Sequence, residues 1–155
     1  MHRSLIPLFY DALGRRVFCS SRTQGGSYET NYFVYDGAQV VADLNATGGL
    51  LRTYVWGPGI DNLLAMTTHG GPGAPRTVFP IKDHLGTVHA LVDTNGVMIE
   101  RYEFDAWGRV LGVYDSSNQQ ITQSSVGNRY LWQGRATTGS ALIRKNSVAW
   151  GCRVG

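Results

Sequence analysis

A chain of 155 residues, 43% of them hydrophobic, is long enough to bury a core and too apolar to be intrinsically disordered. Its formal net charge of +3 is unevenly placed: residues 135–155 carry Arg135, Arg144, Lys145 and Arg153 with no acid, while residues 1–134 hold ten basic and eleven acidic side chains. A nucleic-acid binder spreads Lys and Arg over a face, so the near-neutral body argues against that class.

Read from its start, the chain opens with the basic Met1-His2-Arg3. The apolar stretch behind it runs only from Leu5 to Tyr10 and contains Pro7, too short for a signal peptide. No run approaches the roughly 18 apolar residues of a membrane-spanning helix. The 20 glycines follow no collagen-like period and point to many tight turns between short strands.

Phe9-Tyr10-Asp11-Ala12-Leu13-Gly14-Arg15 is the first of several related units. Each element has a physical task at the end of a strand. The aromatic residue supplies a large buried area, and Asp accepts backbone N–H groups in an Asx-type turn. Gly provides a positive φ, and Arg begins the next strand with an apolar stem and a charged tip. Phe33-Val34-Tyr35-Asp36-Gly37 reads as a weaker copy. Ala38–Ala42 then leads to a turn at Asn45-Ala46-Thr47-Gly48-Gly49, and Leu50–Trp56 returns until Gly57-Pro58-Gly59 stops it. Residues 66–76 are expected to form a loop.

Further on, Thr87–Val92 leads into Asp93-Thr94-Asn95-Gly96, and Val97–Phe104 leads away. Asn-Gly between such runs is a strong hairpin signal. Strict alternation places Met98, Glu100, Tyr102 and Phe104 on one face and Val97, Ile99, Arg101 and Glu103 on the other. Both faces are mixed, which suits a sheet partly wet on each side. Glu103-Phe104-Asp105-Ala106-Trp107-Gly108-Arg109 repeats the first unit closely, and Tyr114-Asp115 adds another aromatic–Asp pair. Residues 116–128 read as a polar loop, and 136–155 as a divergent basic tail beyond a β-hairpin region at 1–135. No stretch has a helical apolar period. The expectation is all-β: repeated antiparallel hairpins giving about six to ten short strands, part of a curled sheet with open edges.

Four segments, in order, resemble the tyrosine–aspartate repeat and associated core of the RHS (rearrangement hotspot) family. They are Tyr10-Asp11-Ala12-Leu13-Gly14-Arg15, with Tyr35-Asp36 as its weaker echo; Asp83-His84-Leu85-Gly86-Thr87; Phe104-Asp105-Ala106-Trp107-Gly108-Arg109; and Asn128-Arg129-Tyr130-Leu131-Trp132-Gln133-Gly134-Arg135. The resemblance covers about residues 8–135. It implies a structural segment of a hollow shell that encloses a toxic C-terminal domain, within a larger exported bacterial protein. The implied partners are the shell's other repeats and the enclosed toxin. The chain departs from the family after Arg135: no acidic residue follows Asp115, so the paired carboxylates of a self-cleaving aspartyl site are missing there.

Chemistry-bearing alternatives read as weaker. His69, His84 and His89 near Asp83 and Asp93 suggest metal ligands, but on an extended chain residues 84 and 89 would face opposite ways. Asp93–Gly96 fails as a calcium loop because Val97 occupies a ligand position. Cys19 and Cys152 lack an activating motif, and the Gly-rich residues 70–75 lack a phosphate loop's Lys-Ser/Thr ending. Asn45-Ala46-Thr47 matches a glycosylation acceptor but reads more simply as a turn. Expected, therefore, are no catalytic, cofactor or metal residues and no enzyme. The aromatic set Tyr102, Trp107, Tyr114, Tyr130 and Trp132 keeps open a carbohydrate-binding surface, against ordinary packing of aromatics on a sheet.

Overall fold

A computed structural model describes residues 8–22, 28–71 and 73–136. The chain is all-β, with eleven strands among the described residues, one more than the upper end of the expectation. They are β1 (Leu8–Tyr10), β2 (Arg16–Arg22), β3 (Tyr28–Asp36), β4 (Gln39–Leu44), β5 (Leu50–Trp56), β6 (Leu63–Thr68), β7 (Arg76–Lys82), β8 (Val88–Val92), β9 (Met98–Phe104), β10 (Val110–Asp115) and β11 (Gln120–Ile121). Strand order is the order of the chain, as a succession of antiparallel hairpins requires. β1 and β11 stand at its two ends. No helix among the described residues is long and apolar enough to cross a membrane.

The described residues belong to two compact units, Met1–Tyr54 with Thr67–Pro75, and Val55–Met66 with Arg76–Gly155. In the first, β2 pairs with β1 and β3, and β4 with β3 and β5. Its core holds Cys19, Phe33 and Tyr54, with Asp43 fully buried under the Arg52 guanidinium and the Tyr54 hydroxyl. In the second, β8 pairs with β7 and β9, and β10 with β9 and β11. There Leu63, Met66, Val78, Val88, Leu91, Val113 and Leu131 are fully buried.

A single local device makes most of these hairpins. Asp11, Asn45, Asp83, Asp93, Asp105 and Asp115 each open a turn whose first N–H donates to the carbonyl four residues on. The fourth residue's N–H donates back to the first carbonyl. The opening side chain's Oδ1 then accepts the N–H groups of the third and fifth residues. The fourth residue takes a left-handed φ, from +76° at Gly14 to +81° at Gly48 and Gly86, with Asn118 at +61° in the last turn. Asn and Gly tolerate that region best. Asn95-Gly96 therefore occupies the last two places of a four-residue turn rather than a two-residue loop.

The weaker copy at Tyr35-Asp36-Gly37 is built differently. Asp36 pairs with Gln39 across a two-residue loop, and Gly37 supplies its positive φ of +57°.

A bulge accompanies five of the six turns. In the pairings Phe9↔Phe18 and Tyr10↔Arg16, one residue, Val17, is left without an opposite number. The same register step leaves over Leu51, His89, Ile99 and Leu111. Each stands six residues after the Asp or Asn that opens its turn, so the bulge is part of the repeat. A bulge breaks strict alternation, which corrects the two-faced reading of residues 97–104. Ile99 and its neighbour Glu100 are both buried, while Glu103 is exposed.

Two expected loops are also corrected. Met66–Thr68 belongs to β6, so the loop there is shorter than 66–76. Residues 116–128 contain β11 and the buried Ser124, Val126 and Asn128.

Candidate functional site

The motif residues of the first unit form a local clamp. Arg15 closes on its own turn, its Nε and Nη2 each 2.7 Å from Asp11 Oδ2. It also donates to the Gly37 carbonyl and stacks 4.9 Å over the Tyr35 ring. Successive repeats are thereby tied together, since Arg15 belongs to one and Tyr35-Asp36-Gly37 to the next. Tyr10 remains exposed.

In the second unit three motifs distant in sequence meet. A short 3₁₀ turn at Trp132–Gly134, with Gln133 at φ +51°, crosses the turns opened by Asp83 and Asp105. The Val88 N–H donates to the Leu131 carbonyl, and the Gln133 N–H to Thr87 Oγ1. Trp132 stacks on Phe104 with centroids 5.6 Å apart and lies so close to Gly108 that an added Cβ would stand 2.5 Å from its ring. Gly134 meets the Asp61 backbone just as tightly, and Gly86 faces the backbone of Gln133 and Gly134. Gly108 and Gly134 are thus glycines for close approach as well as for φ, whereas a Cβ on Gly86 would make only ordinary contact. Arg109 bonds back to Asp105, Arg135 lies near Asp61, and His84 is exposed in its turn.

Between these motifs lies an open groove of about 530 Å³, lined by Asp83, His89, Tyr102, Glu103, Phe104, Asp105, Ala106, Leu111 and Trp132. The bulge residue His89 brings its Nε2 within 3.2 Å of Asp83 Oδ2. Partial burial pushes the Asp83 pKa up, but hydrogen bonds from Thr87, His89 and Leu85 outweigh it and hold the group below the usual carboxylate range. The Arg109 N–H does the same for Asp105, and the Arg101 guanidinium for Glu103. The three carboxylates are therefore ionised at neutral pH, with Glu103 paired to Arg101 and Asp105 to Arg109.

Sequence reasoning missed the polar cluster beside it. Glu100, fully buried, accepts the Ser125 N–H and hydroxyl and the Val126 N–H on Oε1, and the Tyr102 hydroxyl at 2.7 Å on Oε2. Asn128 donates to the Tyr102 oxygen and the Tyr130 carbonyl, and accepts the Tyr130 N–H. Burial, followed by the Glu100 charge, pushes the Tyr102 hydroxyl well above its ordinary pKa. The cluster pins residues 124–130 onto β9. Its one sequence signal is a carboxylate, Glu100, two residues from Tyr102 on an otherwise apolar face.

The aromatic set does not assemble into one exposed platform. Tyr102 and Tyr130 are buried, Arg101 covers the Tyr114 ring at 3.8 Å, and Trp132 packs on Phe104 and Gly108. Trp107 stands alone at 90% exposure. Among the described residues no three His, Cys, Asp or Glu side chains gather as metal ligands. His69 bonds Thr53, Asn45 caps its turn, and Cys19 is buried. Cys152 and the tail from 137 onward lie outside the described residues.

No family model matches the chain. It is 28% identical over 127 residues to the tRNA3(Ser)-specific nuclease WapA of Bacillus spizizenii. The match takes in 81% of this chain and 5% of that protein. The likeness is to a small segment of a far larger chain.

Proposed function

We propose that this chain is a structural segment of an RHS-type, tyrosine–aspartate-repeat wall that insulates an enclosed toxin domain. The observation that carries the reading is the repeated turn: six copies of one capped, left-handed-ended hairpin turn, five with the bulge at the same place. Such a unit cannot bury its apolar face alone and needs neighbours before and after it. The partners are then further repeats against β1 and β11 and the enclosed domain, in a larger exported protein.

Open strand edges recruit other chains. In analytical ultracentrifugation the isolated chain should associate with rising concentration, and a Pro within β11, at Ile121, should weaken that association. A monomer at all concentrations with a cooperative melt would overturn the open wall.

A second reading, RNA cleavage, rests on the name of the relative. Since 5% of that protein is matched, its activity is not assigned to this segment. Incubation with tRNA and divalent cations separates the two: intact tRNA supports the wall, and cleavage by the purified chain would support an enzyme. Glycan binding stays a third possibility only through Trp107, and sugar-dependent fluorescence lost on Trp107→Ala would support it.

A further inference from the structure

Consecutive antiparallel strands put alternate turns at opposite ends of the strands. In the second unit the turns after β5, β7 and β9 therefore share one end, and those after β8 and β10 the other. Residues 131–135 cross the first end, where Gly134 meets Asp61, Gln133 meets Thr87 and Trp132 meets Gly108. These three turns present Ile60, Leu85 and Trp107 to solvent, with Ile60 and Trp107 each 90% exposed and Leu85 55%. At the opposite end the turns expose Thr94-Asn95 and Ser116-Ser117 instead. The first unit, taken by itself, repeats the split. Leu13 is exposed in the turn after β1, and Thr47 holds the same place in the turn after β4, at the other end.

The apolar tips can be buried at little polar cost. The Leu85 and Trp107 N–H groups already donate to Asp83 and Asp105 within their turns. The turn at 57–62 is braced by the Gly57 N–H on the Asn62 carbonyl and by the Lys82 ammonium on Asn62 Oδ1. Charges beside the tips are met locally, Asp105 by Arg109 and Asp83 by His89. Such an edge does not repel its own like. Hairpins two strands apart set neighbouring tips about 10 Å from one another, so the row fits a surface of the same pitch. Covering three large side chains on each of two such edges removes on the order of 1,000 Å² from water, the lower limit for a specific interface. A bilayer fits less well, because the Asp105–Arg109 pair beside Trp107 would be drawn toward hydrocarbon with it.

We propose that this apolar-tipped edge of the second unit packs against the like edge of another run of these hairpins, which for the isolated chain is a second copy. Ile60, Leu85 and Trp107 are the residues that meet. The contact rests on the reading of the chain as a repeat wall and adds a second direction of assembly to it. Strands extend the sheet at β1 and β11, whereas turns join sheets side to side. With so small an area the contact is weak between two single chains and strengthens as the row is repeated along a longer wall.

Benzoylphenylalanine in place of Trp107 keeps an aromatic group at the tip and, on illumination, bonds to whatever it touches. The full chain carrying it is mixed with isotope-labelled chain at high concentration, and interchain adducts are mapped by mass spectrometry. Expected are adducts to residues 57–62, 83–87 or 105–109 of the second copy. Their yield should hold at about 0.5 M salt, where charge pairs are screened, and fall several-fold in the Ile60→Ser/Leu85→Ser variant. Both of those side chains are exposed, so the variant should melt as the parent does. The adducts should also survive Ile121→Pro, which blocks the β11 edge. No interchain adduct at the turns, or a yield indifferent to the double variant, would overturn the proposal. So would flotation of the chain with phosphatidylcholine vesicles that Trp107→Ser abolishes, which would assign the edge to lipid. Association weakened by Ile121→Pro without adducts at the turns would remove this contact alone and leave the wall standing.

Discussion

Two glycines with nearly the same backbone angle separate what φ requires from what packing requires. Gly96 and Gly108 sit at the same place in their turns, with φ of +77° and +80°. A Cβ on Gly96 would meet open space, whereas one on Gly108 would strike the Trp132 ring. Gly96→Ala should therefore cost only the left-handed strain, about 1–2 kcal/mol. Gly108→Ala adds an overpacking cost of about 1–3 kcal/mol and should loosen the Trp132 segment. Urea unfolding midpoints of the two variants check this, together with Trp132 fluorescence in a background where Trp56, Trp107 and Trp150 are replaced by Phe. Equal losses at the two sites would mean that the Trp132–Gly108 contact contributes nothing.

At the scale of elements, Glu100 holds the segment after β11 to β9. Its carboxylate satisfies the Ser125 and Val126 amides and the Tyr102 hydroxyl in a fully buried place. Glu100→Ala orphans these donors, at about 1–3 kcal/mol for each one left unpaired and buried. Hydrogen exchange should show the Ser125 and Val126 amides losing protection while β8 keeps its own, and unchanged protection at 125–126 would refute the pinning role. Here the limits of the sequence are plain. The hairpins were legible because Asp, Gly and Asn report on a few neighbouring residues, and Asp93–Gly96 or Asp105–Arg109 can be read without knowing the rest of the chain. The Glu100 cluster joins residues 25 apart, and polar residues 116–128 look like a solvated loop until that partner is seen. The bulge hid for another reason: a period-two count through Ile99 and Glu100 has no means of noticing an inserted residue. The groove was half legible, its three motifs recognisable singly but their meeting not deducible from spacing.

Across the whole molecule, the repeated turn ties stability to pH through its caps. Asp11, Asp83, Asp93 and Asp105 all have pKa values held below the ordinary carboxylate value of 3.8. Burial opposes the shift most strongly at Asp11 and Asp83, while the N–H groups of Arg15 and Thr87 lead the contributions that lower them. At Asp93 and Asp105 the N–H groups of Val97 and Arg109 dominate. A carboxylate with a depressed folded-state pKa stabilises the fold in full above its unfolded pKa, and that contribution is lost as pH falls through the folded value. Thermal midpoints should accordingly be insensitive to these groups at neutral pH and begin to fall below about pH 5, steepening under pH 3.8, because the unfolded chain takes up protons that the folded turns refuse. Asn45 shows that an uncharged amide caps the same turn with the same two bonds, to the N–H groups of Thr47 and Gly49. Replacing the four aspartates by Asn should leave the neutral-pH fold in place and flatten the acid limb. An acid limb as steep in the Asn variant as in the parent would place the acid sensitivity outside these four caps.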